Sequence, residues 1–407
     1  MPRASLAEHS GGDVSAWRAI VAGLCASLVG IGLARFAYTP LIPALIAAGW
    51  FAPAAAAYLG AANLAGYLAG ALLARRMAQH ASAGVVLRVN MLLATAAFFA
   101  CAVPLPFWWF FIWRFAAGAA GGALMVLAAP TVLAHVPPAR RGLAGGVIFT
   151  GVGLGIAASG TLVPLLLRAG LSATWCGLGA LALVLTVLAW GGWPAARTSA
   201  VPSLERQHRS RFGPALKALY VEYALNAVAL VPHMVFLVDF VARGLERGID
   251  VGSHYWVLFG LGAVTGPLIT GHVADRIGFT RALRLAFVVQ AVAVAVPVIT
   301  VSAAALIFSS LVVGAMVPGV VPLVLGRVHE LTPHDDQERQ AGWSFATTAF
   351  ALGQAAAAYG FSFLFAHTGG GYTALFALGA AALVLALAID LAAGALARRT
   401  QLIQSKS

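Results

Sequence analysis

The sequence predicts an all-α membrane protein of twelve transmembrane helices, arranged as two pseudo-symmetric six-helix bundles. Three observations lead there. Of 407 residues, 61% are hydrophobic and only 9% charged, whereas a soluble domain carries about 25% charged residues. A soluble core could not hide that much apolar surface, so the solvent is lipid. The apolar residues fall into twelve runs, each near the roughly 20 residues that a spanning helix needs. The least hydrophobic stretch, Pro194–Pro214, has four arginines (Arg197, Arg206, Arg209, Arg211) against one acid, Glu205, and leaves six runs on either side. The expected organisation is an N-terminal bundle over 1–193, a basic linker over 194–214 and a C-terminal bundle over 215–407.

In order, the first six runs are Trp17–Ile46, Pro53–Leu73, Val85–Val103, Phe107–Leu133, Gly142–Leu167 and Ser172–Trp193. The second six are Pro214–Val241, Ser253–Val273, Ala282–Thr300, Ala303–Val328, Ala341–Phe365 and Tyr372–Leu396. The polar stretch before Trp17 precedes a first helix without a clean small-residue cleavage site, so that helix is read as a retained span. Basic residues set the direction. With the N-terminus in the cytoplasm, 20 Lys and Arg fall in cytoplasmic loops and tails, and only Arg168, Arg243 and Arg247 outside; the positive-inside rule then puts both termini in the cytoplasm. Tryptophans fall near predicted span ends: Trp50, Trp108, Trp109, Trp175 and Trp256 outside, Trp17, Trp190, Trp193 and Trp343 inside. This is the pattern of interfacial belts.

The net charge of +12 therefore reports membrane orientation. Lys217 and Lys406 are the only lysines, so there is no lysine-rich tract for nucleic acid. Cys25, Cys101 and Cys176 lie in separate apolar runs without ligand spacing and read as packing residues. Gly118-x-x-x-Gly122, and Gly151 with Gly155, let helices approach closely. Gly153-Leu-Gly155-Ile-Ala-Ala158 imitates a dinucleotide fingerprint but lies within an apolar helix and follows no strand. No phosphate loop, metal-ligand pair or nucleophile elbow appears. The sequence thus implies no cofactor, no metal and no enzyme.

After the eighth run stands Gly271-His-Val-Ala-Asp275-Arg276-Ile-Gly278. A Gly-x-x-x-Asp-Arg-x-Gly turn between spans resembles the cytoplasmic signature of the major facilitator superfamily (MFS). The slot after the second run, Gly70 to Met77 with Arg75 and Arg76, is a degenerate copy in which Ala74 replaces the acid. Arg114-Phe-Ala-Ala-Gly118 resembles the superfamily's fourth-helix Arg-x-x-x-Gly motif. The glycine-rich fifth run is only loosely similar to its antiporter motif, since Gly160 and Pro164 are separated. The first span, Gly30 to Pro40, resembles the bacterial YbfB/YjiJ-like branch. The resemblance implies the MFS fold, two bundles rocking about a central site. It also implies a cytoplasmic gate in which Gly271, Asp275, Arg276 and Gly278 face Arg140 and Arg141, with Arg75 and Arg76 opposite Asp335, Asp336 and Glu338.

The residues themselves add candidates. An ionisable group within a span costs about 2.5–3.5 kcal/mol on insertion scales and points to a pathway. Arg35 and Arg114 lie within spans, with Tyr38 and Asp239 as candidate partners; snorkelling or bracing of backbone carbonyls is the alternative. At about 100° per residue, Glu222, Asn226 and His233 share one face of the seventh span. Asp239 lies near its outer end beside Arg243. Glu222 has Lys217 and the linker arginines as alternative partners; His233 follows Pro232, whose freed carbonyl it could cap. Asp390 is expected to pair with Arg398 or Arg399. The expected substrate site is Arg35, Tyr38, Arg114, Asn226 and His233, with His233, Glu222 and Asp239 as proton-coupling groups. The function read here is a proton-coupled secondary active transporter of a small organic solute, with an anionic substrate, working by rocking-bundle alternating access. Its partners are the lipid bilayer, the solute and protons, with no nucleic acid and a monomeric state. The alternatives are a drug or cation antiporter held by Glu222 and Asp239, an intramembrane enzyme and a passive channel.

Overall fold

The computed structural model describes residues 4–137, 140–194, 213–332, 336–369 and 371–404; within these, the side chains of 4–15, 75, 141–143, 336–337, 340 and 397–404 are not described. Linker residues 195–212 and gate residue Asp335 lie outside the described residues. The chain divides into two compact units, Met1–Val201 and Pro202–Ser407.

Among the described residues there are twelve helices long and apolar enough to cross a membrane. In the first unit these are α1 (Ala16–Ala47), α2 (Pro53–His80), α3 (Ala83–Ala100), α4 (Phe107–Leu133), α5 (Ala144–Leu167) and α6 (Leu171–Ala189). In the second they are α7 (Pro214–Gly244), α8 (Gly248–Ile277), α9 (Phe279–Ile299), α10 (Ala303–Leu331), α11 (Ala341–His367) and α12 (Tyr372–Leu396). The partners repeat. In the first unit α2 packs along α4, α3 against α4 and α6, and α1 against α5 and α6. In the second, α8 packs along α10, α9 against α10 and α12, and α7 against α11 and α12.

Glycine makes the tightest of these crossings. Lipid tails are as apolar as leucine, so helices in a membrane associate through close backbone packing. A Cβ added at Gly66, Gly70 or Gly118 would lie 2.0, 1.9 or 1.9 Å from the carbonyl oxygens of Phe115, Ala119 and Asn63 across the α2–α4 crossing. The α8–α10 crossing repeats this: Cβ atoms at Gly262, Gly266 and Gly314 would lie 2.1, 2.0 and 2.0 Å from the carbonyls of Leu311, Ala315 and Phe259. Every residue in the second set stands 196 positions after its counterpart (66 to 262, 70 to 266, 118 to 314). At these crossings the two units are one packing design written twice.

Two helices depart from α-geometry. α1 is π-helical over Leu28–Leu33 and irregular at 34–37 before resuming at Tyr38. Pro40 has no N–H, and Phe36 O instead accepts from Thr39 N at 3.3 Å. α7 widens at Pro232–Phe236 and again at Phe240–Gly244. Pro232 cannot donate to the carbonyl one turn back and its ring crowds that carbonyl, so the turn opens.

The tryptophans divide. Trp17, Trp108, Trp109 and Trp190 are exposed, as interfacial residues are, but Trp175 and Trp256 are buried. Trp175 packs against Tyr38, Phe98 and Phe110, and Trp256 stacks on Phe259 at 4.8 Å. The belt expectation is corrected for these two and for Trp193, which is also buried: position near a span end does not tell which way a ring faces.

Candidate functional site

In the first unit the irregular segment of α1 offers the carbonyl of Ala34 to side chains. Arg114 Nη1, from α4, donates to it at 2.7 Å, and Asn63 Nδ2, from α2, at 3.4 Å; Asn63 Nδ2 also donates to Arg114 O at 3.0 Å. Backbone freed from a helix within the membrane must find such partners. Arg114 is 3% exposed and its Cζ lies 4.2 Å from the centre of the Tyr38 ring. The Tyr38 hydroxyl donates to Ala56 O at 2.9 Å, which fixes the ring under the guanidinium. Arg35, half-buried, stands 5.1 Å from the Tyr67 ring centre and 5.1 Å from that of Phe36.

Arg114 is braced but not neutralised. Its Nε is buried without an acceptor, and the groups acting on its charge are Tyr38 and Cys101. The sequence explains why: residues 14–204 contain ten arginines and no aspartate or glutamate. The fold does not demand an arginine there either. Counting on by 196 residues gives Ser310, whose hydroxyl is buried without a partner.

In the second unit Glu222, Asn226 and His233 are buried, at 2%, 0% and 0% exposure. Asn226 Nδ2 donates to Gln290 Oε1 on α9 at 2.7 Å, while Asn226 Oδ1 and Gln290 Nε2 have no partner. His233 Nε2 lies 2.8 Å from Ser309 Oγ on α10, and that hydroxyl donates to Ala293 O on α9 at 2.6 Å. Ser309 has spent its one proton, so Nε2 is the donor and Nδ1, buried and unpartnered, carries the bare lone pair. His233 therefore ties α7 to α10 and α9 rather than capping the carbonyl freed by Pro232.

Asp239 is engaged twice: Tyr372 Oη donates to Oδ2 at 2.6 Å, and Arg243 Nε lies 3.5 Å from Oδ1. Among the described residues Glu222 makes no hydrogen bond or ion pair, Lys217 included, and the linker arginines lie outside them; the charges acting on it are those of Asp390, Arg327 and Arg284. Asp390 pairs with Arg284 on α9; the side chains of Arg398 and Arg399, the partners expected from the sequence, lie outside the described residues. The packing of α9 on α12 supplies a partner that the sequence reading did not name.

Of the gate residues, Asp275, Arg276, Arg76 and Arg140 are exposed. Gly278 closes α8 with φ +81°, a conformation that costs glycine little, and its N–H donates to Ala274 O at 2.8 Å. Gly271 has open space around it. Glu338 acts on Tyr220 within its own unit. The side chains of Arg75, Arg141 and Asp336 lie outside the described set. Among the described residues no cluster suited to a metal ion occurs.

Sequence reading missed Asn63, Gln290, Ser309 and Arg284. Their signal was available: each is a polar residue inside or at the edge of an apolar run, where it needs a partner.

The family model described as "Uncharacterised MFS-type transporter YbfB" matches residues 27–391. Among solved structures, the nucleoside transporter NupG aligns with a TM-score of 0.76 at 13% identity, covering 92% of this chain and 99% of that one. A D-xylose-proton symporter aligns at 0.69 and 15% identity, covering 91% and 96%. At such identities the likeness is one of fold. No curated protein matches the sequence. The family match runs through all twelve spans, from within α1 into α12, and the chain belongs to the YbfB-type family of MFS transporters.

Proposed function

We propose that this protein is a proton-coupled secondary transporter of small organic anions bearing a carboxylate. It works as a monomer by rocking-bundle alternating access in a bacterial inner membrane, with both termini cytoplasmic. The observation that carries the reading is Arg114: a buried guanidinium in a unit whose spans contain no acid. A carboxylate can take two parallel hydrogen bonds from an arginine, so the solute supplies the missing negative charge. Arg35 and Tyr38 complete the anion site. Asn226 and His233 join it only by leaving Gln290 and Ser309. A proton enters with the anion on one of the ionisable groups of the second unit: His233, Glu222 or Asp239. The cation-efflux reading is disfavoured, because Asp239 is already held by Tyr372 and Arg243. The gate belongs to the same proposal: Asp275 with Arg140 and Arg141, and Arg75 and Arg76 with Asp335, Asp336 and Glu338, close the cytoplasmic side.

A thermal-shift screen of purified protein against metabolites tests the solute class. Carboxylates are expected to stabilise the protein, by about 2.7 kcal/mol at 100 times their Kd, while neutral sugars, nucleosides and quaternary ammonium dyes leave it unchanged. Stabilisation by the dyes alone overturns the anion reading. Orientation is tested separately. Reporter fusions at Trp50, Gly170 and Gly248 are expected to read periplasmic, and at His80, Gln207 and Gln337 cytoplasmic. One consistent inversion among the six sites refutes the map.

A further inference from the structure

We propose that Glu222 is the group that carries the coupling proton, and that Arg284 passes from Asp390 to Glu222 when that proton leaves. This rests on the transport reading above and names the group it needs.

Four helices meet at this place, at the end of the second unit where α7 begins and α12 finishes. Asp390 on α12 holds Arg284 of α9. Arg327 on α10 holds Glu330 at 3.0 Å, and Glu330 also accepts from Thr280 Oγ1 at 3.1 Å. Each arginine thus has a carboxylate of its own. Among the described residues Glu222 is the acid left over: 2% exposed, without a hydrogen bond there, and within the fields of Asp390, Arg327 and Arg284. From α11, which also packs on α7, Glu338 acts on Tyr220; Lys217 lies five residues before Glu222 on α7 itself.

Comparison of the two units separates brace from function. Arg88, 196 residues before Arg284, makes the same third-to-sixth-helix link: its Nε donates to Trp190 O, just past α6, at 2.9 Å. The fold therefore uses an arginine here without any acid. α1 has no acid in its span either, and its corresponding stretch is lined by buried alanines, Ala22 and Ala26. Glu222 is an addition that packing does not require.

The other ionisable groups of α7 are occupied. His233 has its N–H on Ser309 and no acceptor for a second one, and Asp239 has Tyr372 and Arg243. With a proton, Glu222 is a neutral acid among two completed pairs. When the proton passes to water, two carboxylates compete for Arg284, and like charges sharing one site resist joint ionisation. Movement of the guanidinium toward Glu222 relieves the new anion and loosens α9 from α12.

The experiment reads the proton directly. Purified protein in liposomes is titrated by infrared difference spectroscopy. The expected result is a carboxylic-acid C=O band that disappears as pH rises, is absent from Glu222→Gln, and persists at a displaced midpoint in Asp390→Asn. Glu222→Gln is near-isosteric and breaks no hydrogen bond, so it is expected to fold; a Glu222→Gln protein that keeps the band overturns the proposal. Liposomes containing pyranine supply the second readout. Addition of pyruvate, succinate or benzoate under an inward proton gradient is expected to acidify the lumen with wild-type protein, and the response is expected to be lost in Glu222→Gln. Equal acidification by the variant also overturns the proposal. A wild-type protein that titrates at Glu222 yet gives no solute-dependent acidification refutes the transport reading instead, so the two failures are distinguishable.

Discussion

Gly118→Ala and Gly314→Ala are each expected to remove most of the folded protein from membrane extracts, while Gly146→Ala and Gly360→Ala leave it unchanged. The added methyl at Gly118 would sit 1.9 Å from Asn63 O, and at Gly314 2.0 Å from Phe259 O. Both contacts are with backbone, which cannot swing aside as a side chain can. The helices must separate, forfeiting the close packing that replaces a hydrophobic driving force in lipid. One methylene forced into a well-packed interior costs about 1–3 kcal/mol, and one or two kcal/mol is about a factor of 5–30 in the folded-to-unfolded ratio. Gly146 and Gly360 have nothing within 4 Å of an added Cβ, so they control for the change of residue itself. Size-exclusion profiles and unfolding temperatures of the four variants decide the matter. Wild-type behaviour at Gly118 would mean that the crossing is looser than described.

Arg114→Ala is expected to abolish transport and the stabilisation by carboxylates. It removes the charge that the anion would neutralise and the 2.7 Å bond to Ala34 O. The second loss is structural: a buried carbonyl deprived of a strong donor costs about 1–3 kcal/mol. Asn63→Ala separates the two. Asn63 donates to the same carbonyl at 3.4 Å and to Arg114 O at 3.0 Å but carries no charge. It is expected to lower the unfolding temperature while keeping ligand stabilisation. Arg114→Lys keeps the charge without the planar fork and is expected to retain weak binding. If Arg114→Ala folds and still binds carboxylates as wild type does, the arginine is a brace and nothing more.

Hydropathy made the twelve helices legible because the lipid requirement acts on every residue of a span. The run Trp17–Ile46 became α1 at Ala16–Ala47. The run Ser253–Val273 became the longer α8 at Gly248–Ile277, since a helix continues into the polar interface after hydropathy has fallen. What hydropathy cannot carry is azimuth and partner. Asn226 meets Gln290, 64 residues away, and Asp390 meets Arg284, 106 away. Those pairings depend on which helices pack together. The repeat at 196 residues was present in the glycines: Gly66-x-x-x-Gly70 answers to Gly262-x-x-x-Gly266, but its meaning appears only when each pair is seen against the carbonyls of the crossing helix. The widened turns of α1 and α7 were marked by Pro40 and Pro232, while the direction in which the freed carbonyl turned was not.

Because residues 14–204 hold no acid, the membrane voltage acts on the protein as well as on its solute. One elementary charge crossing 100 mV is worth about 2.3 kcal/mol. On the proposed function, an empty carrier takes the guanidinium charge of Arg114 through whatever fraction of the field its site traverses, whereas a monoanion bound there would cancel that charge. In the proposed cycle the loaded carrier, with a bound monoanion and a protonated Glu222, is neutral at both groups, so voltage acts on the empty return alone, to the extent that Arg114 and the deprotonated Glu222 cross different fractions of the field.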